Sequence, residues 1–197
     1  MAQLYVVLDG AHTHVLDAAL RGGVDVVQLR DKEASDDDLV RAAESFRGAC
    51  DTYGALFVLN DRPDLVAACG ADGVHVGQRD ASVADARAIV GDECLVGLSI
   101  ETEAQLDAIA GADYLGVGAV FATPTKRESV AGGLELVRAT AARVTIPWFA
   151  IGGIELANVA EVVEAGAPGV AVVRAIRDAN DPETAARELR AAFRSEE

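Results

Sequence analysis

The sequence predicts an α/β chain folded as one compact (β/α)8 TIM barrel covering residues 1–197, and three observations predict it. Short β-branched runs alternate with longer segments that carry apolar residues at i, i+3 and i+4 from one end to the other. Those runs are apolar almost throughout, which suits parallel strands covered by helices outside and packed together inside. A short glycine-led sequence also recurs, as Gly22-Gly23-Val24-Asp25, Gly70-Ala71-Asp72-Gly73, Gly111-Ala112-Asp113-Tyr114 and Gly166-Ala167-Pro168-Gly169. Its starts are 48, 41 and 55 residues apart, about two βα units each, so four copies imply eight units.

In chain order, strands are expected at 4–8, 24–30, 56–60, 73–76, 94–98, 114–117, 148–151 and 169–173. The clearest helical periods fall at 37–53, 82–90, 156–165 and 182–193. In the recurring sequence the first glycine can cap a helix in the left-handed region, the small residue packs beneath it, and Asp or Pro sets the turn into the next strand. A barrel of this kind usually needs roughly 250 residues, so the loops must be short. A doubly wound sheet competes, but it leaves the even spacing unexplained.

Composition narrows the function. Half the chain (51%) is apolar and 25% is charged, which excludes disorder. The net charge of −15 argues against general affinity for nucleic acid or anionic membranes, and 5% aromatics is too few for base stacking. A phosphate-bearing ligand must therefore meet a local cluster of cations. There are 15 arginines but only two lysines, Lys32 and Lys126, so each lysine invites the question of what needs a compact ammonium. Cys50, Cys69 and Cys94 are odd in number, lack C-x-x-C spacing and read as small core residues. The start of the chain does not read as a signal sequence and no window reaches 18 uninterrupted apolar residues, so a cytoplasmic location is expected.

Chemistry in such a barrel sits at the C-terminal strand ends, and the polar residues gather there. The second strand ends in Gln28-Leu29-Arg30-Asp31-Lys32, the third in Asn60-Asp61, and the fourth runs through His75 to Asp80. The fifth ends at Ser99, the sixth leads to Thr123-Pro124-Thr125-Lys126, the seventh to Gly152-Gly153 and the eighth to Val173-Arg174. Arg30, Lys32 and Lys126 can meet a polyanion with charge-assisted bonds, although Arg30 and Lys32 could equally pair with Asp31 or Glu33. Asp61 and Asp80 follow adjacent strands and can approach one point, as Mg²⁺ bound to phosphate oxygens requires; alternatively each caps the helix that follows it. Gly152-Gly153 allows a phosphate close to the backbone, or makes a plain turn. His75 reads as a packed residue behind the site, and His12 and His14 as surface residues without a third metal ligand.

In this order the motifs resemble those of the thiamine-phosphate synthase (thiamine-phosphate pyrophosphorylase) family. The stretches that carry the resemblance are VQLRDK at Val27–Lys32, LNDRPDL at Leu59–Leu65, ADGVHVGQRD at Ala71–Asp80 and VGLSI at Val96–Ile100. GADYLGVGAVFATPTK at Gly111–Lys126, IPWFAIGGI at Ile146–Ile154 and AGAPGVAVVRAI at Ala165–Ile176 complete it, so that it covers essentially the whole chain. The resemblance implies condensation of 4-amino-5-hydroxymethyl-2-methylpyrimidine diphosphate with 4-methyl-5-(2-phosphoethyl)thiazole, giving thiamine phosphate and pyrophosphate. It implies that Gln28 contacts the pyrimidine, that Arg30, Lys32, Asn60 and Lys126 hold the diphosphate, and that Asp61 and Asp80 ligate one Mg²⁺ per subunit. Ser99 would stand beside the reacting methylene, while Thr123, Thr125 and the Gly153 backbone would receive the thiazole phosphate, with Val173 and Arg174 near it. Arg30, Ser99 and Lys126 are the expected catalytic residues. The implied partners are the two small molecules, with no nucleic acid and no membrane; a homo-oligomer is left open.

Two departures stand out. The segment between the first two strands is shorter than the family's common form, and Val173-Arg174 replaces the usual Val-Ser. A related thiazole tautomerase would not be expected to keep Asp61 and Asp80 together with the Thr-Pro-Thr-Lys run. A non-catalytic thiamine-phosphate binder would have no use for the cations expected to hold a leaving group.

Overall fold

Along each strand the side chains alternate between two apolar environments, and this alternation divides the molecule into an inner and an outer core. A computed structural model describes residues 2–122 and 132–193. Eight parallel strands, β1 (Leu4–Leu8), β2 (Val26–Leu29), β3 (Leu56–Asn60), β4 (Gly73–Val76), β5 (Leu95–Ile100), β6 (Tyr114–Val117), β7 (Trp148–Ile151) and β8 (Val170–Val172), close into a barrel in sequence order. The helices outside it are α1 (Leu16–Arg21), α2 (Asp36–Tyr53), α3 (Val66–Cys69), α4 (Val83–Val90), α5 (Gly133–Arg143), α6 (Val159–Glu164), α7 (Arg174–Arg177) and α8 (Pro182–Ala191). Short 3₁₀ segments cover Gly10–Val15, Pro63–Leu65 and Glu103–Ala108.

Leu4, Val6 and Leu8 face outward into the large core beneath the helices, where Phe46 of α2 lies 5.6 Å from Phe57 of β3. Tyr5 and Val7 face inward and join Val26, Val58, Tyr114, Phe149 and Ala171 in a small core inside the barrel. Three strands differ from the sequence reading. Strand β2 begins at Val26 because the Val24 amide bonds back to Ala19 O at the end of α1. Strand β5 runs on to Ile100, which pairs with Val117 of β6, and β8 is confined to Val170–Val172. Helix α6 is also shorter than its apolar period, starting at Val159.

The recurring sequence ties down the N-terminal end of the barrel. Asp25 Oδ2 accepts from the amides of Gln3 and Leu4 at the start of β1, and its Oδ1 pairs with Arg190 of α8 at 2.7 Å. Asp72 Oδ2 accepts from the Phe57 amide of β3 at 2.7 Å and pairs with Arg47 of α2 at 2.9 Å. Asp113 does the same for the Val96 amide of β5 and Arg87 of α4. Each Asp thus satisfies a strand-end amide that the parallel ladder leaves open, and binds a helix to that strand. The left-handed glycine is found at Gly70, Gly111 and Gly166, but in the first copy it is Gly23 (φ +99°) rather than Gly22, which is right-handed.

The short connection after β1 is not an open loop. Asp9 caps it, accepting from the Ala11 amide at 3.0 Å, and the chain turns through 10–15 directly into α1. His12 Nδ1 lies 2.5 Å from Asp9 Oδ1. Among the described residues, no helix is long and apolar enough to cross a membrane.

Candidate active site

The inward alternation continues past the strand ends, so β2 sends Gln28 and then Arg30 and Lys32 to the C-terminal mouth of the barrel. There they line a cavity of about 220 Å³. Asn60 and Asp61 after β3, Asp80 after β4, Ser99 of β5, Gly153 after β7, and Val173 and Arg174 after β8 line the same cavity. Every expected site residue within the described segments therefore comes to one mouth. Thr123, Thr125 and Lys126 lie outside the described residues.

Lys32 does not pair with Asp31 or Glu33, as the local sequence allowed; its Nζ stands 2.8 Å from Asp61 Oδ2. Asp61 is held for this contact in an unusual backbone state. Its φ of +60° makes it the sole non-glycine residue with positive φ among those described, a conformation that Asp tolerates better than most residues. Its amide donates to His75 O at 2.9 Å, tying the tip of β3 to β4. Neither carboxylate caps a helix. The segment after Asp61 starts without a side-chain cap, and α4 is capped by Ser82, whose Oγ accepts from the Asp85 amide. Asp80 instead closes a turn, with Oδ2 accepting from the Gly77 amide at 2.9 Å.

Gly152 and Gly153 have φ of +105° and +66°, which favours glycine at both positions. A Cβ at Gly152 would come 2.6 Å from Ala119, and one at Gly153 would come 2.8 Å from Phe121 Cβ. The bare backbone here admits the neighbouring loop after β6. Arg174 lines the cavity and leans toward Glu155 after β7, with 3.3 Å between Nη2 and Oε1.

Several lining residues escaped the sequence reading: Tyr5, Asp9, Phe149, Glu155 and Arg177. Tyr5 sits in a strand that reads as uniformly apolar, and only the inward alternation reveals it. His75 is not packed away but half-buried on the cavity wall, with Nε2 3.0 Å from Ser99 Oγ. Buried Tyr5 and Tyr114 both have pKa values raised well above the usual phenol range by desolvation, so they remain neutral.

Among the described residues, four carboxylates (Asp9, Asp61, Asp80 and Glu155), four amide or hydroxyl side chains (Tyr5, Gln28, Asn60 and Ser99) and four cations (Arg30, Lys32, Arg174 and Arg177) thus share one concave mouth. Among the described residues no three His, Cys, Asp or Glu side chains converge as a metal site. Two oxygen donors from neighbouring loops do suit Mg²⁺, which keeps most of its positions for water and phosphate oxygens.

The sequence pattern of the thiamine monophosphate synthase family matches residues 4–176. The chain is 48% identical over 198 residues to the thiamine-phosphate synthase of Thermobifida fusca, covering 96% of this chain and 91% of that one. It is 46% identical over 192 residues to the thiamine-phosphate synthase of Thermosynechococcus vestitus, covering 95% of this chain. In that case the chain spans only about half (55%) of its relative's length. Among solved structures, the thiamine phosphate pyrophosphorylase of Pyrococcus furiosus superposes with a TM-score of 0.90 at 34% identity, over 98% of this chain and 95% of that one.

Proposed function

The chain belongs to the thiamine monophosphate synthase family, and on that premise we propose that it joins 4-amino-5-hydroxymethyl-2-methylpyrimidine diphosphate to 4-methyl-5-(2-phosphoethyl)thiazole. The products are thiamine phosphate and pyrophosphate, and the protein is a transferase. The observation that carries this reading is the meeting of Arg30, Lys32 and Asn60 with Asp61 and Asp80 at one barrel mouth. Cations and an amide beside two carboxylates match a diphosphate presented together with a divalent ion.

The bond that breaks joins the pyrimidine methylene to the diphosphate oxygen, and its electron pair leaves with the diphosphate. The amino-pyrimidine ring carries the positive charge until the thiazole nitrogen donates its lone pair to the methylene. That nitrogen has no proton to lose, so no strong general base is required. Arg30, Lys32, Asn60 and Lys126 bind the departing oxygens, and Ser99 stands near the methylene. Gln28 orients the pyrimidine. Thr123, Thr125, Gly153, Val173 and Arg174 receive the thiazole phosphate. Asp61 and Asp80 would hold Mg²⁺, which when bound neutralises charge on the diphosphate. Preplaced donors of this kind act on charge as it develops, without reorganising first. Both substrates are free, strongly charged small molecules that cannot cross a membrane unaided, which favours action in the cytoplasm.

The test mixes the purified chain with both heterocycles and Mg²⁺ and follows thiamine phosphate and pyrophosphate. Equimolar appearance of the two products, abolished by EDTA, is expected. Isomerisation of a thiazole phosphate carboxylate in their place, or binding without turnover, overturns the reading.

A further inference from the structure

Three side chains in the interior of the barrel take no part in holding a diphosphate, yet they connect two residues that face the substrate. Gln28 Nε2 lies 2.6 Å from Tyr5 Oη, and Tyr5 Oη lies 3.2 Å from Tyr114 Oη. Tyr114 Oη is 3.2 Å from His75 Nδ1, whose ring reaches Ser99 Oγ through Nε2 at 3.0 Å. The result is an unbroken line from β2 through β1, β6 and β4 to β5, with Gln28 at one end and Ser99 at the other.

The direction of the line follows from proton count. Gln28 Nε2 has only protons to offer, so Tyr5 accepts there. The Tyr5 proton must then go to Tyr114, since reversing that bond would strand a buried donor. Tyr114 passes its own proton to His75 Nδ1. A neutral imidazole accepting at Nδ1 carries its hydrogen on Nε2, and Nε2 therefore donates to Ser99. Burial keeps both phenols protonated, so each tyrosine retains a proton to pass along the line.

The neighbouring sequence makes room for it. A Cβ at Gly97 would come 2.2 Å from Tyr114 Cζ and 2.5 Å from His75 Nδ1, and a Cβ at Gly116 would come 3.1 Å from His75 Cε1. Any side chain at Gly97 would displace Tyr114 and His75.

We infer that Tyr5, Tyr114 and His75 are positioning residues that lock the Gln28 amide with its carbonyl oxygen toward the cavity and turn the Ser99 hydroxyl outward as a donor. The inference rests on the pyrimidine-binding reading above and deepens it. An acceptor at Gln28 selects a ring whose 4-substituent donates, an exocyclic amine, over one whose 4-substituent only accepts, an oxo group.

The test measures binding of 4-amino-5-hydroxymethyl-2-methylpyrimidine and of its 4-oxo counterpart by calorimetry. The wild-type chain should prefer the amine by at least about 100-fold, because a site built around one hydrogen bond rejects the analogue lacking it. In Tyr114→Phe the Tyr5 proton loses its acceptor. It regains one only if the Gln28 amide turns over, so the preference should shift to the 4-oxo ring. In Tyr5→Phe nothing holds either orientation, and the preference should fall to within about tenfold. Wild-type discrimination retained in both variants overturns the relay. ¹⁵N NMR of His75 in the wild-type chain needs no variant and no ligand: a bare Nδ1 and protonated Nε2 support the relay, and the opposite tautomer overturns it. If the wild-type chain binds neither pyrimidine, the substrate reading falls together with the selectivity assigned to Gln28, whereas the tautomer still judges the relay.

Discussion

Lys32 Nζ and Asp61 Oδ2 stand 2.8 Å apart across the tips of β2 and β3, so a cation expected to hold the diphosphate and a carboxylate expected to hold the metal neutralise each other. Half of the Lys32 side chain is exposed, and the pair is therefore weak as a source of stability. Its use lies in exchange. A divalent ion arriving with a diphosphate offers each partner a stronger counter-charge, and the two can separate without leaving either unpaired.

Asp61→Asn should accordingly lower turnover by about 10²–10³-fold, the usual cost of losing one preplaced electrostatic contact. Pyrophosphate binding in EDTA should be retained or strengthened, because Lys32 is released. Steady-state kinetics and calorimetry separate these effects; loss of both turnover and metal-free pyrophosphate binding would contradict the exchange.

Lys126 lies outside the described residues, and its expected role comes from the motif that contains it. Lys126→Ala should reduce turnover at least about tenfold with an unchanged unfolding midpoint, as removal of a leaving-group contact requires. Wild-type-like turnover would remove Lys126 from the mechanism.

Arg174 leans on Glu155 at the side of the mouth assigned to the thiazole phosphate. Arg174→Ser, which restores the family's usual residue, should raise KM for the thiazole phosphate by about tenfold, the value of one charge-assisted bond to a partly solvated group. KM for the pyrimidine diphosphate should not change. Equal effects on both substrates would show that Arg174 acts on the whole mouth.

Asp72→Ala should destabilise the fold by about 2 kcal/mol in urea denaturation, since it strands the Phe57 amide and leaves Arg47 without its 2.9 Å partner. Because Asp72 sits at the N-terminal end of the barrel, kcat should be unaffected at temperatures where the variant is folded.

Much of the fold was legible because its signals are local. Alternating apolar runs and helical periods depend on neighbours in sequence, and the glycine-led repeat marks the doubled βα unit in the sequence itself. The repeat's Asp residues have the local pattern of turn formers, but their carboxylates reach strand amides 15 to 22 positions away. That distance is invisible to a local reading. The same applies at the mouth, where Lys32 had two adjacent acids to choose from and took Asp61 on the next strand.

By itself the sequence determined the eight-stranded barrel, the rim on which its polar residues gather and, through motifs spread over the whole chain, the family. Only the tertiary structure decided which partners those residues take: Asp61 with Lys32, His75 with Ser99, and Tyr5 with both Gln28 and Tyr114. The reason is geometric. Helical and strand periods are written in spacing along one segment, whereas a closed parallel barrel brings residues more than 100 positions apart within hydrogen-bond reach, as it does for Tyr5 and Tyr114. Burial then holds Tyr5 and Tyr114 to the polar groups that stand opposite them.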